Sequence, residues 1–350
     1  MHVRTFVRAL ATATTLVTVT AVTITPATAA PREHWALTLL PLPAGHEDAK
    51  AWVDGTDGHG GYAGEISIGA RSQVVTWAGD RPALRGAPAG ADLVSVRDEN
   101  ASGTVVGHAM DADAGMFEAF LLDGAGFRVL PSPPVFRAAL PSAINDRGDV
   151  VGTGANPDGS PVPVLWPAGD LDHPVVVGPD LFVASADDID DAGTILLNDG
   201  AGAGYLWLDG ALTPLPSPPG HTAASAASFS STLVVGSAQS TTRPGADGVV
   251  WCRPDNPTTC GSGQPQVLPG GGSALFVGES GLVVGRERSD DVQGPLAVWN
   301  GLEYVERLEV PEGRSGSAGA IGADGAVVGY VTAGAPDEGG QPAVWRPVGS

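Results

Sequence analysis

Small, polar and apolar positions follow one pattern that recurs seven times between Trp35 and Arg346. Each copy has an Ala/Ser segment with one larger apolar residue, a polar turn ending in glycine, a Val-Val-Gly segment, a segment ending near tryptophan, and Leu-Pro. We call the glycine of Val-Val-Gly the anchor glycine; the six anchors are Gly64, Gly107, Gly152, Gly236, Gly285 and Gly329. Leu197 replaces it in the fourth copy, so successive anchors lie 43, 45, 45, 39, 49 and 44 residues apart.

This period predicts the fold, because repeats in the forties with short apolar segments are typical of units of four β-strands. One such unit cannot bury both faces of its own sheet, so it needs a neighbour on either side. The units tile nearly the whole chain without a linker. We therefore predict an all-β fold, a single seven-bladed β-propeller of four-stranded blades over residues 30–350.

The residue types also indicate where each segment lies in a blade. Small side chains suit the innermost strands, which converge on the axis. Asn145-Asp146-Arg147-Gly148 is typical of a hairpin turn, because Asn, Asp and Gly tolerate positive φ; the first unit has extra turn residues near 54–60. A tryptophan ends six of the seven third segments: Trp77, Trp166, Trp207, Trp251, Trp299 and Trp345. They are compatible with an aromatic sugar-binding ring, but we expect packing between adjacent sheets.

The phase of the repeat predicts how the propeller closes. The last unit stops soon after Trp345 without a Leu-Pro strand, and the chain start supplies one. The sequence LPLPAGH at 40–46 matches LPSPPGH at 215–221. We therefore predict that residues 35–40 pair beside residues 343–345, which removes two exposed sheet edges.

The first 29 residues have the features of a secretory signal peptide. Arg4 and Arg8 precede an apolar, threonine-rich stretch, and Ala27-Thr28-Ala29 is a small-residue cleavage site. The alternative, a retained membrane anchor, needs about 20 strongly apolar residues, whereas eight threonines dilute residues 5–25. We expect the signal to be removed and the protein to be secreted into the extracellular medium.

The charge of the mature chain bears on its partners. Without the signal peptide, 16 basic residues face 39 acidic ones. Such an acidic surface argues against nucleic acid and anionic membranes as partners. The acidic charge is typical of a protein that is soluble in an external medium, and the more specific alternative is that it binds cations. We expect no membrane insertion after signal removal, and a monomer.

Two stretches resemble a known family. The sequence AINDRGDVVG at 143–152, and EAFLLDG at 118–124 with a following Leu-Pro, resemble the HAF-type extracellular repeat proteins, whose name comes from a His-Ala-Phe-Leu-Trp stretch. The resemblance covers all seven units and is clearest over residues 93–166. It implies secretion and a propeller-like fold. It implies no activity, cofactor or catalytic residue.

Cys252 and Cys260 are the only cysteines, with seven residues between them in a proline-containing loop. In an exported chain such a pair predicts a local disulfide. Metal binding would require more ligands nearby, and no histidine is close in sequence.

Clustered aspartates are the candidate binding residues: Asp54, Asp57, Asp187, Asp188, Asp190 and Asp191, with Asp111 and Asp113 as a further pair. Calcium takes six to eight oxygen ligands, which carboxylates on glycine-containing loops can supply. No cluster completes a known calcium-loop pattern, and hairpin turns account for most of these aspartates. We therefore predict no metal and no cofactor.

Two functional hypotheses remain open at this point. The first is a binding or structural module for an extracellular protein or carbohydrate, since regular repeats have no unit that stands out chemically. The alternative is a propeller hydrolase or lyase that acts on an extracellular glycan or ester with acidic residues near the central funnel. No catalytic residue is assigned, because the string Gly278-Glu279-Ser280-Gly281 lacks the spacing of a nucleophile elbow. Carboxylates from several blades meeting in the funnel would favour the alternative.

Overall fold

The computed structural model describes residues 34–349, except 113–114, 135, 137, 179–182, 255–263, 290–293 and 334–339. These residues form 28 β-strands in seven four-stranded antiparallel sheets. Among them there is no helix long and apolar enough to cross a membrane. The predicted signal peptide, residues 1–29, lies outside the described residues.

Blades 1 to 6 each use four consecutive strands, ordered from the axis outward as they occur in the chain. Blade 1 has β2 (Lys50–Thr56), β3 (Gly61–Ile68), β4 (Arg71–Ala78) and β5 (Arg81–Gly86); blade 2 has β6 (Leu93–Glu99), β7 (Val105–Asp111), β8 (Met116–Asp123) and β9 (Gly126–Leu130). Blade 3 has β10 (Ala139–Ile144), β11 (Val150–Ala155), β12 (Pro161–Trp166) and β13 (Val175–Val176); blade 4 has β14 (Ala184–Ile189), β15 (Ile195–Asp199), β16 (Gly204–Leu208) and β17 (Ala211–Pro214). Blade 5 has β18 (His221–Phe229), β19 (Leu233–Ser240), β20 (Ala246–Cys252) and β21 (Gln266–Val267); blade 6 has β22 (Gly271–Val277), β23 (Leu282–Glu287), β24 (Leu296–Asn300) and β25 (Glu303–Arg307).

Blade 7 combines the two ends of the chain. Its inner strands are β26 (Ser315–Ile321), β27 (Val327–Thr332) and β28 (Gln341–Val348), and its outermost strand is β1 (His34–Leu39). In the register of β1 and β28, Leu37 lies opposite Trp345 and Leu39 opposite Ala343. The predicted seven-bladed propeller and its closure by the N-terminal strand are confirmed.

The core is distributed over the interfaces between blades. Seven apolar clusters are present, one at each of the seven interfaces. The cluster between blades 7 and 1 packs Leu40, Val53 and Trp77 against Val328 and Val344. Closure therefore rests on the same kind of apolar packing as every other interface.

The tryptophans that end the third strands pack in these interfaces, as expected. Five of them are at most 2% exposed, and each indole N–H donates to the carbonyl that follows a buried leucine of the preceding blade. The donor and acceptor residues are Trp77 and Pro41 (2.7 Å), Trp166 and Pro131 (2.7 Å), Trp251 and Pro216 (2.7 Å), Trp299 and Pro269 (3.0 Å), and Trp345 and Glu309 (2.8 Å). The Leu-Pro segment thus both fills an interface and satisfies the indole of the next blade.

The anchor glycines exist because every innermost strand has a β-bulge. Each anchor lies opposite the residue just before the bulge, as Gly152 lies opposite Pro141. A Cβ on Gly152 would lie 2.0 Å from the carbonyl oxygen of Leu140, and the other anchors show the same close approach at 1.8 to 2.2 Å. Blade 4 has the bulge although Leu197 replaces the glycine. The first unit also differs from expectation, since β2 runs on to Thr56 and only residues 57–60 form the turn.

Candidate functional site

Two cavities meet on the propeller axis. One, of about 400 Å³, is lined by the inner strands of all seven blades and opens towards the hairpin turns that follow them. The other, of about 660 Å³, opens towards the opposite end. Six residues line both cavities: Asp54, Arg97, Ser142, Asp187, Phe276 and Gly319. The two cavities are therefore the halves of one axial channel, and these residues mark where they join.

The junction coincides with the bulges of the innermost strands. The bulged residues, which we call the bulge ring, are Asp54, Arg97, Ser142, Asp187, Ala227, Leu275 and Gly319. In blade 6 the next residue, Phe276, lines the channel instead of Leu275. Because a bulge turns an extra residue out of the ladder, the bulged residues of the other six blades line the channel. Three of them carry a charge.

Asp54 and Arg97 occupy neighbouring positions of the bulge ring, on blades 1 and 2. Burial raises the pKa of the Asp54 carboxyl to about 6, and the positive charge of Arg97 opposes that rise. Among the described residues, neither side chain makes a hydrogen bond, and no ion pair of 4.0 Å or less joins them. The channel therefore holds a carboxylate and a guanidinium on neighbouring blades that have no hydrogen-bond partner within the described part of the chain.

Asp98 and Asp188 line the same channel but have a structural role. Asp98 on blade 2 accepts the backbone N–H groups of Glu99 (2.8 Å) and of Ile144 on blade 3 (2.9 Å). Asp188 accepts those of Ile189 (2.8 Å) and of Phe229 on blade 5 (3.2 Å). Burial raises the pKa of both carboxyls to about 7. Each aspartate is thus a hydrogen-bonded link between neighbouring blades.

A second set of links uses the residue after each anchor position. Glu65 accepts the N–H of Val96 (2.8 Å) from the next blade, and Asn198 accepts that of Ala226 (2.9 Å). His108 holds the equivalent place on blade 2, opposite a blade whose corresponding residue is Pro141, which has no N–H. Its Nδ1 is buried and finds no partner in the described ranges of the chain, and burial lowers the pKa of the imidazole to about 4. The missing donor explains this unsatisfied nitrogen.

Two further carboxyls near the channel are held mainly in the neutral form at neutral pH. Burial, reinforced by the charge of Asp54, raises the pKa of Glu65 to about 8. Burial, reinforced by Asp57 and Asp98, raises the pKa of Glu99 to about 8 as well. At neutral pH, Glu65 and Glu99 therefore add little negative charge to blades 1 and 2. Asp54, whose pKa is only about 6, is mostly ionised at the same pH.

The other candidate aspartates are engaged by their own surroundings. Asp187 accepts from Ser185 Oγ (2.9 Å) and Asn198 Nδ2 (2.6 Å), although its carboxylate also faces the channel. The remaining three act in the hairpin turns that follow the innermost strands. Asp57 Oδ1 accepts the N–H groups of residues 59 and 61, and Asp191 accepts that of residue 146. Asp190 accepts the N–H of residue 194 and pairs with Arg253 at 2.6 Å.

The structure thus brings Asp54, Asp187 and Asp188 together at the channel. It places Asp190 and Asp191 in turns that also line the opening of the channel, and Asp57 in a turn outside it. The described residues contain no group of three or more His, Cys, Asp or Glu arranged to hold a metal ion. Cys252 ends β20, whereas Cys260 lies outside the described residues, as does Asp113. The disulfide therefore stays a prediction.

Sequence reasoning missed Arg97, Ser142 and Phe276. A signal for the first two was present, because the bulged residue lies ten positions before each anchor position, or nine in blade 5. Counting back from Gly107 and Gly152 reaches Arg97 and Ser142. A glycine that closes a strand permits close backbone approach or a bulge, but the bulged residue of the partner strand is not visible without the strand pairing.

No family model matches the chain, and no curated protein matches it. Solved structures do. A prolyl endopeptidase structure is 12% identical with a TM-score of 0.57 over 78% of this chain, and the chain spans 45% of its length. An oligogalacturonate lyase in complex with manganese is 11% identical with a TM-score of 0.57, covering 91% of this chain and 96% of the other.

The β-propeller domain of the Trilobed protease from Pyrococcus furiosus is 10% identical with a TM-score of 0.52, covering 85% of this chain and 95% of the other. That domain is described as having an open velcro topology, whereas β1 closes the propeller here. At these identities the comparisons show the β-propeller fold, which peptidases and a lyase share with this chain.

Proposed function

We propose that the protein is a secreted binding propeller of the HAF-type repeat class that receives an extracellular ligand in its axial channel. The observation that carries this proposal is the pair Asp54 and Arg97, two charged groups that face the channel without a partner in the described residues. Arg97 is exposed in the channel, whereas Asp54 is partly buried, where a charge without a hydrogen bond costs stability. Groups of this kind are retained where they act on a ligand.

The fold itself does not require charges at these positions. The equivalent places on other blades hold Ser142, Ala227 and Gly319, with the same bulge and the same strand order. Asp98 and Asp188, by contrast, hold neighbouring blades together. This separation of roles distinguishes the groups available for binding from those that maintain the blades.

The size of the channel limits the occupant. Cavities of about 400 and 660 Å³ lie in the range of small-molecule sites. They have room for a small molecule or for the end of a polymer chain, not for a folded domain. Either a protein or a carbohydrate partner would therefore have to present a narrow group to the axis.

A channel-blocking variant tests this proposal. Ala227 belongs to the bulge ring and is exposed in the channel, so Ala227→Trp fills the axis without disturbing an interface. Ala211→Trp, on the exposed outer strand of blade 4, is the matched control. Each protein is incubated with medium and envelope extract of the producing organism, and the molecules released on denaturation are identified by mass spectrometry. The wild type and Ala211→Trp should retain the same molecule and Ala227→Trp should not; equal retention by all three, or by none, contradicts the proposal.

One observation favours the alternative of an extracellular hydrolase or lyase. Carboxylates from blades 1, 2 and 4 do converge on the channel, and the pKa of Asp54 is raised to about 6, which suits proton transfer near neutral pH. Turnover of polysaccharide and ester substrates that is lost in Asp54→Asn, with unchanged melting, would establish catalysis over simple binding.

A further inference from the structure

The bulge ring has two chemically different sides. Asp54 and Arg97 stand on neighbouring blades, with Ser142 beside Arg97. Asp187 of blade 4 continues this polar side, and the remaining three blades line the channel with Ala227, Phe276 and Gly319. A ligand at this level therefore meets two carboxylates, a guanidinium and a hydroxyl over blades 1 to 4 and apolar surface over blades 5 to 7.

The spacing of the charged pair also constrains the ligand. The carboxylate of Asp54 and the guanidinium of Arg97 influence each other electrostatically, yet no nitrogen–oxygen distance of 4.0 Å or less joins them. A carboxylate and a guanidinium that face one cavity without an ion pair between them present a dipole to whatever enters. Binding is favoured for a group with the opposite dipole, because each of its charges then forms a charge-assisted contact in the channel.

Gly319 shapes the channel on the other side of Asp54. A Cβ at this position would lie 2.2 Å from the carbonyl oxygen of Val53 and 2.8 Å from the Cα of Asp54. Blade 7 therefore presses its backbone against the Asp54 segment and holds it in place. The same Cβ would lie 3.0 Å from Asp54 Oδ1, so the carboxylate itself also lies close to the backbone of blade 7.

We propose that the channel binds a small zwitterion of the amino-acid class, with its ammonium group at Asp54, its carboxylate at Arg97 and its side chain against Phe276. A free amino acid and the two ends of a very short peptide share this chemistry. The inference rests on the proposed function, since it names the ligand of the same channel.

The charges argue against two other ligand classes. A metal ion would find Arg97 beside Asp54, and no group of three suitable ligands is present among the described residues. A neutral sugar would form hydrogen bonds with both groups but would leave both charges uncompensated in the channel. A zwitterion is the class that satisfies both and also uses the apolar side.

Calorimetry with capped analogues tests the assignment. The probes are L-leucine, leucinamide, N-acetyl-leucine and N-acetylglucosamine. In the wild type, leucine should bind about tenfold or more tightly than either capped form, since each analogue lacks one charge-assisted contact. In Asp54→Asn, leucine and N-acetyl-leucine should bind equally; in Arg97→Gln, leucine and leucinamide should bind equally. Arg128→Gln, which removes an exposed arginine on an outer strand, is the control and should match the wild type.

The outcomes separate this inference from the proposed function. Absence of leucine binding, or loss of affinity that does not depend on the matching ligand group, overturns the zwitterion assignment. If N-acetylglucosamine binds instead and Ala227→Trp abolishes that binding, the channel remains the binding site and only the ligand class is wrong. If Ala227→Trp leaves leucine binding unchanged, the ligand does not occupy the channel and both proposals fail.

Discussion

The indole N–H of Trp77 donates a 2.7 Å hydrogen bond to the carbonyl oxygen of Pro41, and this bond ties blade 1 to the strand end that completes blade 7. The same bond recurs between Trp166 and Pro131 within the continuous part of the chain. The junction of the two chain ends is therefore built from the same elements as an ordinary blade interface. Closure is a property of the repeat itself.

Trp77→Phe should destabilise the protein by about 2 kcal/mol, because the part-buried carbonyl of Pro41 loses its donor and the smaller ring leaves space at the interface. Trp166→Phe should cost about as much. Trp207→Phe should cost less, since that side chain is only half-buried and none of the described residues accepts its indole hydrogen. Urea denaturation measures all three, and a neutral Trp77→Phe beside a destabilising Trp166→Phe would show that the closure is looser than the other interfaces.

Gly152→Ala should destabilise blade 3 by about 3 kcal/mol or more, because the new Cβ meets backbone atoms of the partner strand, so the two strands must move apart. The added carbon would lie 2.0 Å from the carbonyl oxygen of Leu140. Gly124→Ala is the control, since its Cβ meets nothing within 4 Å, and it should change stability by less than about 0.5 kcal/mol. Equal melting temperatures for the two variants would refute the steric role of the anchor.

The repeat predicted the blades and the closure because both depend on main-chain requirements that recur in every unit. An anchor such as Gly152 recurs in six of the seven units, as does a tryptophan such as Trp166, although blade 4 keeps its bulge with Leu197. The links between blades were not predictable by type, since Glu65, Asn198 and Thr153 meet the same need with different acceptors. Because different residue types can accept the equivalent backbone N–H in different blades, no residue type recurs at this position of the repeat.

Arg253→Ala should destabilise the protein by about 3 to 5 kcal/mol, because it leaves a carboxylate without its buried partner. The Arg253 side chain is buried, pairs with Asp190 at 2.6 Å and lies over the ring of Phe229 at 5.0 Å. Arg128→Ala breaks an exposed pair with Asp172 and should cost no more than about 1 kcal/mol. If the two variants unfold at the same denaturant concentration, Asp190 is not held in the way described.

Stability should fall as pH rises from about 4.5 to 7.5. Burial raises the pKa of Asp98 and Asp188 to about 7, whereas an unfolded aspartate titrates near 3.9. Between these values the folded state binds protons that the unfolded state has released, so the free energy of unfolding decreases with pH. Each group contributes a slope of at most about 1.4 kcal/mol per pH unit.

Asp98→Asn should make the free energy of unfolding fall less steeply with pH, because one of the two titrating aspartates is removed. Urea denaturation at several pH values measures this slope. Asp158→Asn is the control: its exposed carboxyl has a pKa lowered by the hydroxyl of Ser160, so its contribution is lost only as pH falls towards and below about 4. An unchanged slope in Asp98→Asn would mean that this aspartate is already ionised in the folded protein at low pH.

Of the candidate site, the sequence supplied Asp54 and Asp187 but not the reason for them. Both belong to runs of aspartates that are typical of turns, and only strand pairing separates them from turn residues such as Asp57 and Asp191. Arg97 was missed because Asp54, its neighbour in the bulge ring, is 43 residues away in the sequence. The two residues lie on adjacent blades and come close only in the folded propeller. Contacts between blades depend on the curvature of the propeller, which the period alone does not give.

Asp54→Ser should raise stability while abolishing ligand retention. Serine is the residue that blade 3 carries at the equivalent position, so the bulge accepts it, and the substitution removes a buried carboxylate that has no hydrogen bond among the described residues. Because the folded pKa is raised to about 6, the cost of the charge is present above that pH and absent below about pH 4. The gain should therefore be about 1 kcal/mol or more at pH 8 and vanish near pH 4.

Asp188→Ser should instead lower stability near neutral pH, because it leaves the N–H groups of Ile189 and Phe229 without their acceptor. A destabilised Asp54→Ser at pH 8 would assign Asp54 to the framework of the propeller and remove it from the binding site.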